Sequence, residues 1–119
     1  MPKEHGRSRR VADLIQQELA VAIQRDMADT ALKFITVSAV DVSPDLKNAR
    51  VYITSLADDL DRDAVIMEMN ELSGHYRHML SKKLTMRTVP KLNFVFDYSV
   101  ERGNRLSTLI DSVSKEHKD

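Results

Sequence analysis

A Ser73-Gly74 pair in the middle of the chain separates two helical segments and restricts the possible folds more than any other feature. Residues 64–72 before it and residues 75–84 after it carry apolar side chains at the three- and four-residue steps of a helix. Glycine costs about 1 kcal/mol in a helix interior relative to alanine. The pair therefore predicts a break or kink between two helices, with Ser73 capping the second.

The segments before this joint predict one helix and one β-hairpin. Residues 9–26 repeat apolar side chains with helical spacing, and Ser8 precedes them as a candidate N-cap. Residues 34–42 and 49–56 are rich in β-branched residues, and turn-forming residues lie between them. We expect a hairpin whose loop exposes Lys47.

After the joint, Val89-Pro90 ends the helical region, because proline cannot continue a helix. Residues 91–98 alternate apolar and polar side chains as a strand does, and a last helix is predicted from Ser99. The fold class is thus α+β, in the order α-β-β-α-(kink)-α-β-α, with a three-stranded sheet and helices packed on one face. Helices that meet at a Gly-containing joint are typical of nucleic-acid-binding KH domains, and this order matches a type II KH-like domain.

Length and composition set further limits. The 119 residues fit a single domain, 1–119, whose polar ends 1–7 and 114–119 we expect to be frayed. Without cysteine, the chain has no disulfides and no thiolate metal sites. No apolar run approaches the roughly 18 residues of a membrane span, and the N-terminus lacks the apolar core of a secretory signal. We expect a cytoplasmic monomer with no membrane partner.

The net charge is zero, but the charges are unevenly distributed. Acidic residues concentrate at 58–71, whereas residues 73–96 contain none. A neutral protein of this kind can still present one strongly positive face, although two solvated helix faces of opposite sign would look the same in sequence. Because phosphates bind cations and exposed backbone N–H groups, we predict RNA contacts at Arg7, Arg9, Arg10, Lys47, Ser73, Gly74, Arg77, Lys82, Lys83, Arg87 and Lys91.

No pattern in the chain indicates catalysis. Nucleophile elbows, phosphate-binding loops and dinucleotide fingerprints are all missing from the sequence. His75 and His78 have a spacing that a metal could use, but the other two histidines, His5 and His117, are far from them in sequence. The acidic run 58–63 lacks the glycine and the final glutamate of a calcium loop. We therefore interpret it as negative charge at the start of a helix, where it interacts favourably with the helix dipole. We expect no catalytic residue, no metal and no cofactor.

Three segments, in this order and spacing, resemble the bacterial ribosome-binding factor A family. The first runs from Arg10-Val11-Ala12 to Gln24-Arg25. The second is the hairpin sequence Val40-Asp41-Val42-Ser43-Pro44-Asp45-Leu46. The third is spread over residues 84–105 and includes Val89-Pro90. The family forms its kink with an Ala-x-Gly sequence, and here Leu72-Ser73-Gly74 places leucine where alanine is expected.

The resemblance implies a function that composition alone does not. Family members bind the small (30S) ribosomal subunit and its 16S rRNA during late maturation, promote processing of the rRNA 5′ end and support growth in the cold, without catalytic activity. Two alternatives remain open on the residues. One is a basic protein-interaction module that docks on an acidic partner, and the other is a metal-dependent hydrolase that uses the acidic segment.

Overall fold

The computed structural model describes residues 2–56, 61–86 and 88–98. Its elements are α1 (Pro2–Met27), β1 (Ile35–Val42), β2 (Asn48–Ser55), α2 (Arg62–Glu71), α3 (Ser73–Lys83) and β3 (Lys91–Phe96). The predicted order is confirmed through the third strand. The last helix, predicted from Ser99, lies outside the described residues.

The three strands form one mixed sheet in the order β1-β2-β3. β1 and β2 pair antiparallel as the predicted hairpin, and β3 pairs parallel to β2. A central row joins Val40, Val51 and Phe94 across the sheet, and all three point toward the helices. α1 packs on β1, while α2 and α3 pack on β3, which confirms helices on one face of a three-stranded sheet.

A β-bulge at Ser38 sets which side chains of β1 face the helices. The register shifts between Val37 and Ala39, so Ser38 is the extra residue. The inward positions change from Ile35 and Val37 before the bulge to Val40 and Val42 after it. The Gln16 side chain on α1 donates to the Ser38 carbonyl at 3.2 Å, which ties the bulge to the helix.

The core lies between the sheet and the three helices α1, α2 and α3. Its largest members have less than 2% of their surface exposed, among them Tyr76, Phe94, Ile15, Leu19 and Ile53. Full burial of one such side chain contributes about 1.5–3 kcal/mol to stability. The helix stripe and the alternating strand predicted from the sequence therefore supply the two sides of one core.

The start of the first helix was predicted incorrectly. α1 begins at Pro2 instead of Arg9, and Ser8 is buried inside the helix, so it does not act as its N-cap. Proline suits the first helical position because its fixed φ matches the helix and its missing N–H has no partner there. The fraying predicted for residues 1–7 and 114–119 stays a prediction.

Strand ends differ by one or two residues from the prediction. β1 begins at Ile35, and Phe34 lies in the turn before it with 47% of its surface exposed. β3 ends at Phe96, two residues before the predicted end. Among the helices of the described ranges, none combines the length and the hydrophobicity that crossing a membrane requires.

Candidate nucleic-acid interface

The joint between α2 and α3 is a one-residue kink at Leu72. This residue has φ −89° and ψ 0°, outside the regular helix. Its N–H donates to the Glu68 carbonyl at 3.2 Å, and its carbonyl accepts from the Tyr76 N–H at 3.0 Å. Backbone hydrogen bonding therefore continues across the joint, and there is no open loop between the helices.

The prediction that the break falls at Ser73-Gly74 with a serine cap is therefore wrong in detail. Ser73 is the first residue of α3, and Leu72 occupies the cap position without a side-chain hydrogen bond. Leu72 is half-buried and packs against the core. The leucine that departs from the family's Ala-x-Gly pattern thus has a packing role, because its larger apolar side chain covers the core at the kink.

Gly74 lies in the first turn of α3, where neither space nor backbone conformation requires glycine. A Cβ at this position would have no heavy atom within 4 Å, and none of the described glycines has a positive φ. A glycine that the fold does not need leaves the backbone bare at the kink, where a close approach by a ligand is possible.

The first turn of α3 is anchored to the last turn of α1. The Tyr76 hydroxyl donates to Asp26 Oδ2 at 3.0 Å, and His75 Nε2 lies 4.0 Å from the same oxygen. Burial, reinforced by the bond to the Asp26 carboxylate, raises the pKa of Tyr76, so its phenol remains a neutral donor. A phosphate at the joint would therefore meet a nearby carboxylate as well as backbone N–H groups.

Asn70, in the last turn of α2, connects the joint to the edge of the sheet. Its side-chain amide donates to the Phe94 carbonyl at 3.1 Å and accepts from the Phe94 N–H at 2.8 Å. Because β3 is an edge strand, the amide occupies the place that a fourth strand would take. Sequence reasoning did not find this residue. Its only signal was a polar amide of modest helix propensity just before the joint.

The predicted cations of α3 differ in their surroundings. Arg77 Nε donates to the Val89 carbonyl at 3.0 Å and so fastens the connection between α3 and β3. Lys82 and Lys83 are exposed in the last turn of α3, where the helix dipole favours positive charge. Arg87 lies outside the described residues.

Two of the N-terminal cations join the hairpin loop. Arg7 and Arg10 line a groove of about 590 Å³ together with Lys47. The Lys91 N–H donates to the Lys47 carbonyl at 2.9 Å, so the first residue of β3 lies beside the same loop. These four predicted site residues are thus near one end of the sheet.

Arg9 is separated from its neighbours. It lines a second groove, of about 560 Å³, on which Asp13 and Asp41 also lie. The kink is also apart from the cations at the other end of α3, since Gly74 and Lys82 are eight residues apart, or about 12 Å along the helix axis. The predicted residues that the structure describes therefore lie in several separate patches and do not form a single cluster.

The strand aromatics belong mainly to the interior. Phe94 is fully buried and Phe96 packs against the core, in agreement with their alternating pattern. The Arg62 guanidinium lies 4.9 Å from the centre of the Phe96 ring and 5.2 Å from that of Tyr98. Over the described part of the chain, no group of three or more His, Asp or Glu side chains could hold a metal ion.

The mixed three-stranded sheet, the helices on one face and the kinked helix pair define a KH-like domain of type II topology. Comparison with known proteins agrees with this class of domain and identifies one family within it. The family model for ribosome-binding factor A matches residues 7–110. The chain belongs to the ribosome-binding factor A family.

Individual relatives extend over most of the chain. Ribosome-binding factor A of Nitrosococcus oceani is 42% identical over 100% of this chain and 94% of its own length. The crystal structure of ribosome-binding factor A from Thermus thermophilus has a TM-score of 0.63 at 23% identity, over 74% of this chain and 93% of that one. A homology model of the Thermus thermophilus protein has been fitted into the cryo-EM map of a complex of ribosome-binding factor A with the 30S subunit. It has a TM-score of 0.55 at 19% identity, over 71% of this chain and 93% of that one.

Proposed function

We propose that this chain binds the small (30S) ribosomal subunit and contacts 16S rRNA during late maturation. The observation that carries the proposal is the family match over residues 7–110. The fitted complex of the Thermus thermophilus relative with the 30S subunit supports the same kind of partner. In this proposal the protein acts by binding alone, as a cytoplasmic monomer without a cofactor, and its binding promotes 5′-end processing and growth in the cold.

The proposed contact surface contains cations from α1, the hairpin loop, β3 and α3. Arg7, Arg10, Lys47 and Lys91 supply positive charge at one end of the sheet, and α3 adds the exposed pair Lys82 and Lys83. Neutralising phosphates with such groups releases counterions from the RNA, so binding weakens as salt rises. The remaining members of the proposed surface are Arg9, Ser73, Gly74, Arg77 and Arg87.

Sedimentation of cell extract through a sucrose gradient tests the proposed partner. We expect the protein to migrate with free small subunits and to leave that fraction when salt is raised. Migration with whole ribosomes or polysomes alone would contradict a role in maturation. Binding to a protein partner that survives nuclease treatment of the extract would favour the alternative, a basic module that docks on an acidic protein.

Gly74→Ala tests whether the bare backbone at the kink serves binding. Because alanine fits without contact, we expect the free energy of unfolding to rise by up to about 1 kcal/mol, as measured by urea denaturation. Affinity for small subunits should nevertheless fall, since the added methyl group keeps the RNA backbone from approaching closely.

Gly6→Ala is the matched control, because Gly6 is also helical and a Cβ there also has no atom within 4 Å. It should not weaken binding, because Gly6 is not among the proposed contacts. Equal affinities for Gly74→Ala and wild type would exclude a close contact at the kink.

A further inference from the structure

The groove that contains Arg7, Arg10 and Lys47 has an apolar floor as well as a positive rim. It lies between the start of α1, the hairpin loop and the connection from α3 to β3. Its volume of about 590 Å³ is within the range of small-molecule sites, about 300–1,000 Å³. The apolar lining residues are Val11, Leu14, Leu46 and Met86.

Leu46 reaches this groove from an unfavourable backbone conformation. Its φ is 63°, the left-handed region that a leucine rarely occupies, and it is the single non-glycine residue of the described chain with a positive φ. Glycine or asparagine would relieve the strain, but would remove the apolar side chain from the groove. Strain of this kind persists where the surrounding structure enforces it, and it is common at ligand-binding sites.

Hydrogen bonds within the hairpin loop enforce that conformation. The Leu46 N–H donates to the Ser43 carbonyl at 2.8 Å. Asp45 Oδ1 accepts from the Ser43 hydroxyl at 2.6 Å and from the Lys47 N–H at 3.0 Å, and these bonds hold the pKa of Asp45 below its usual range. The loop is therefore preorganised, with Leu46 toward the groove and Lys47 at its rim.

The charges of the groove favour an anionic ligand. Three cations line it against one carboxylate, that of Asp45, which is already hydrogen-bonded within the loop. Leu14 leaves 46% of its surface exposed on the floor, so an apolar or aromatic group can pack there. A ligand with both a flat apolar part and a negative charge matches these two properties, and a nucleotide has both.

The groove also continues into the proposed RNA surface. The Lys47 carbonyl accepts the Lys91 N–H, and Arg77 holds the same α3–β3 connection from which Met86 and Thr88 line the groove. The α3–β3 connection thus leads from the exposed cations at the end of α3 to the groove, and an RNA strand that followed this connection would contact both.

We propose that this groove binds one unpaired nucleotide of the RNA, with its base on Leu14, Leu46 and Met86 and a flanking phosphate on Arg7, Arg10 or Lys47. The inference rests on the proposed function, because the nucleotide is part of the same RNA. A base stacked inside a duplex cannot enter the groove, so the site selects single-stranded RNA.

Leu14→Ala tests the apolar floor without changing charge. We expect about a fivefold to tenfold loss of affinity for a mixed-sequence single-stranded RNA oligonucleotide, in line with the loss of one base contact. The dependence of affinity on salt should stay the same, since no phosphate contact is removed. Val21→Ala is the matched control, an exposed apolar residue of the same helix that does not line the groove.

Arg10→Glu and Lys33→Glu form a second matched pair. Both residues are exposed cations and the two substitutions change the net charge equally, but only Arg10 lines this groove, and Lys33 is outside the proposed contact surface. Arg10→Glu should weaken binding to the oligonucleotide more, and it should also reduce the salt dependence by about one phosphate contact.

The outcomes separate this inference from the proposed function. Equal binding of single-stranded and duplex RNA by the wild type, or unchanged oligonucleotide binding by Leu14→Ala, would overturn the inference. If Leu14→Ala weakened binding to small subunits but not to the oligonucleotide, the groove would hold a protein segment instead. A wild-type protein that bound no small subunits would instead overturn the proposed function.

Discussion

The double substitution Lys82→Glu/Lys83→Glu should weaken binding to isolated small subunits by about 100-fold. A hydrogen bond to a charged group contributes about 1.5–3 kcal/mol, and losing two at the low end amounts to about 3 kcal/mol, or a factor of about 100. Both lysines are exposed at the end of α3. Stability should fall by only about 1 kcal/mol, because glutamate is unfavourable near the negative end of the helix dipole.

A charge-matched variant distinguishes a specific contact from a general effect of charge. Arg25→Glu/Lys33→Glu also reverses two exposed cations, which lie at and after the end of α1 and are outside the proposed contact surface. We expect it to reduce affinity much less than the α3 variant. An equal loss in both variants, measured by equilibrium binding at one salt concentration, would show that Lys82 and Lys83 make no local contact with the RNA.

Asn70→Ala should cause a large loss of stability. The substitution leaves the N–H and the carbonyl of Phe94 without their side-chain partners at a partly buried position. With about 1–1.5 kcal/mol for each lost hydrogen bond, the free energy of unfolding should fall by about 2–3 kcal/mol in urea denaturation. The uncovered edge of β3 should also promote concentration-dependent association, visible in sedimentation velocity.

Two further variants locate the cause of that loss. Glu71→Ala removes the adjacent, exposed side chain and should change stability by less than about 0.5 kcal/mol. Asn70→Asp keeps an acceptor for the Phe94 N–H but places a carboxylate oxygen against the Phe94 carbonyl, so it should not restore the lost stability. If Asn70→Ala unfolded at the same urea concentration as Glu71→Ala, the paired hydrogen bonds to β3 would contribute nothing.

Most of the fold could be predicted because apolar periodicity reports burial directly. The helical repeat that contains Ile15 and Leu19, and the alternation of Leu92 and Phe94, placed the two sides of the core correctly. The bulge at Ser38 could not be predicted, because it depends on the register between β1 and β2 and no glycine marks it. The kink was predicted within two residues of its position. The prediction rested on Gly74, because glycine commonly marks a helix break, whereas Leu72, which forms the kink, has no such signal in the sequence.

Which residues of the candidate site lie together could not be predicted from the sequence, because this depends on tertiary structure. Arg9 and Arg10 are neighbours in the chain, but successive helical residues point about 100° apart and the two line different grooves. Which of them meets the hairpin loop is decided by how α1 packs on β1. The backbone strain at Leu46 could not be predicted either, since a leucine between Asp45 and Lys47 has no sequence feature that indicates a positive φ.

The most direct test of RNA-mediated binding is the affinity of the purified chain for purified small subunits at a series of salt concentrations. If cations of this surface contact rRNA phosphates, the logarithm of the association constant should fall linearly with the logarithm of salt. The slope should correspond to about three to six phosphate contacts. No binding, or an affinity that does not change with salt, would contradict the proposal that this family member binds the subunit through its RNA.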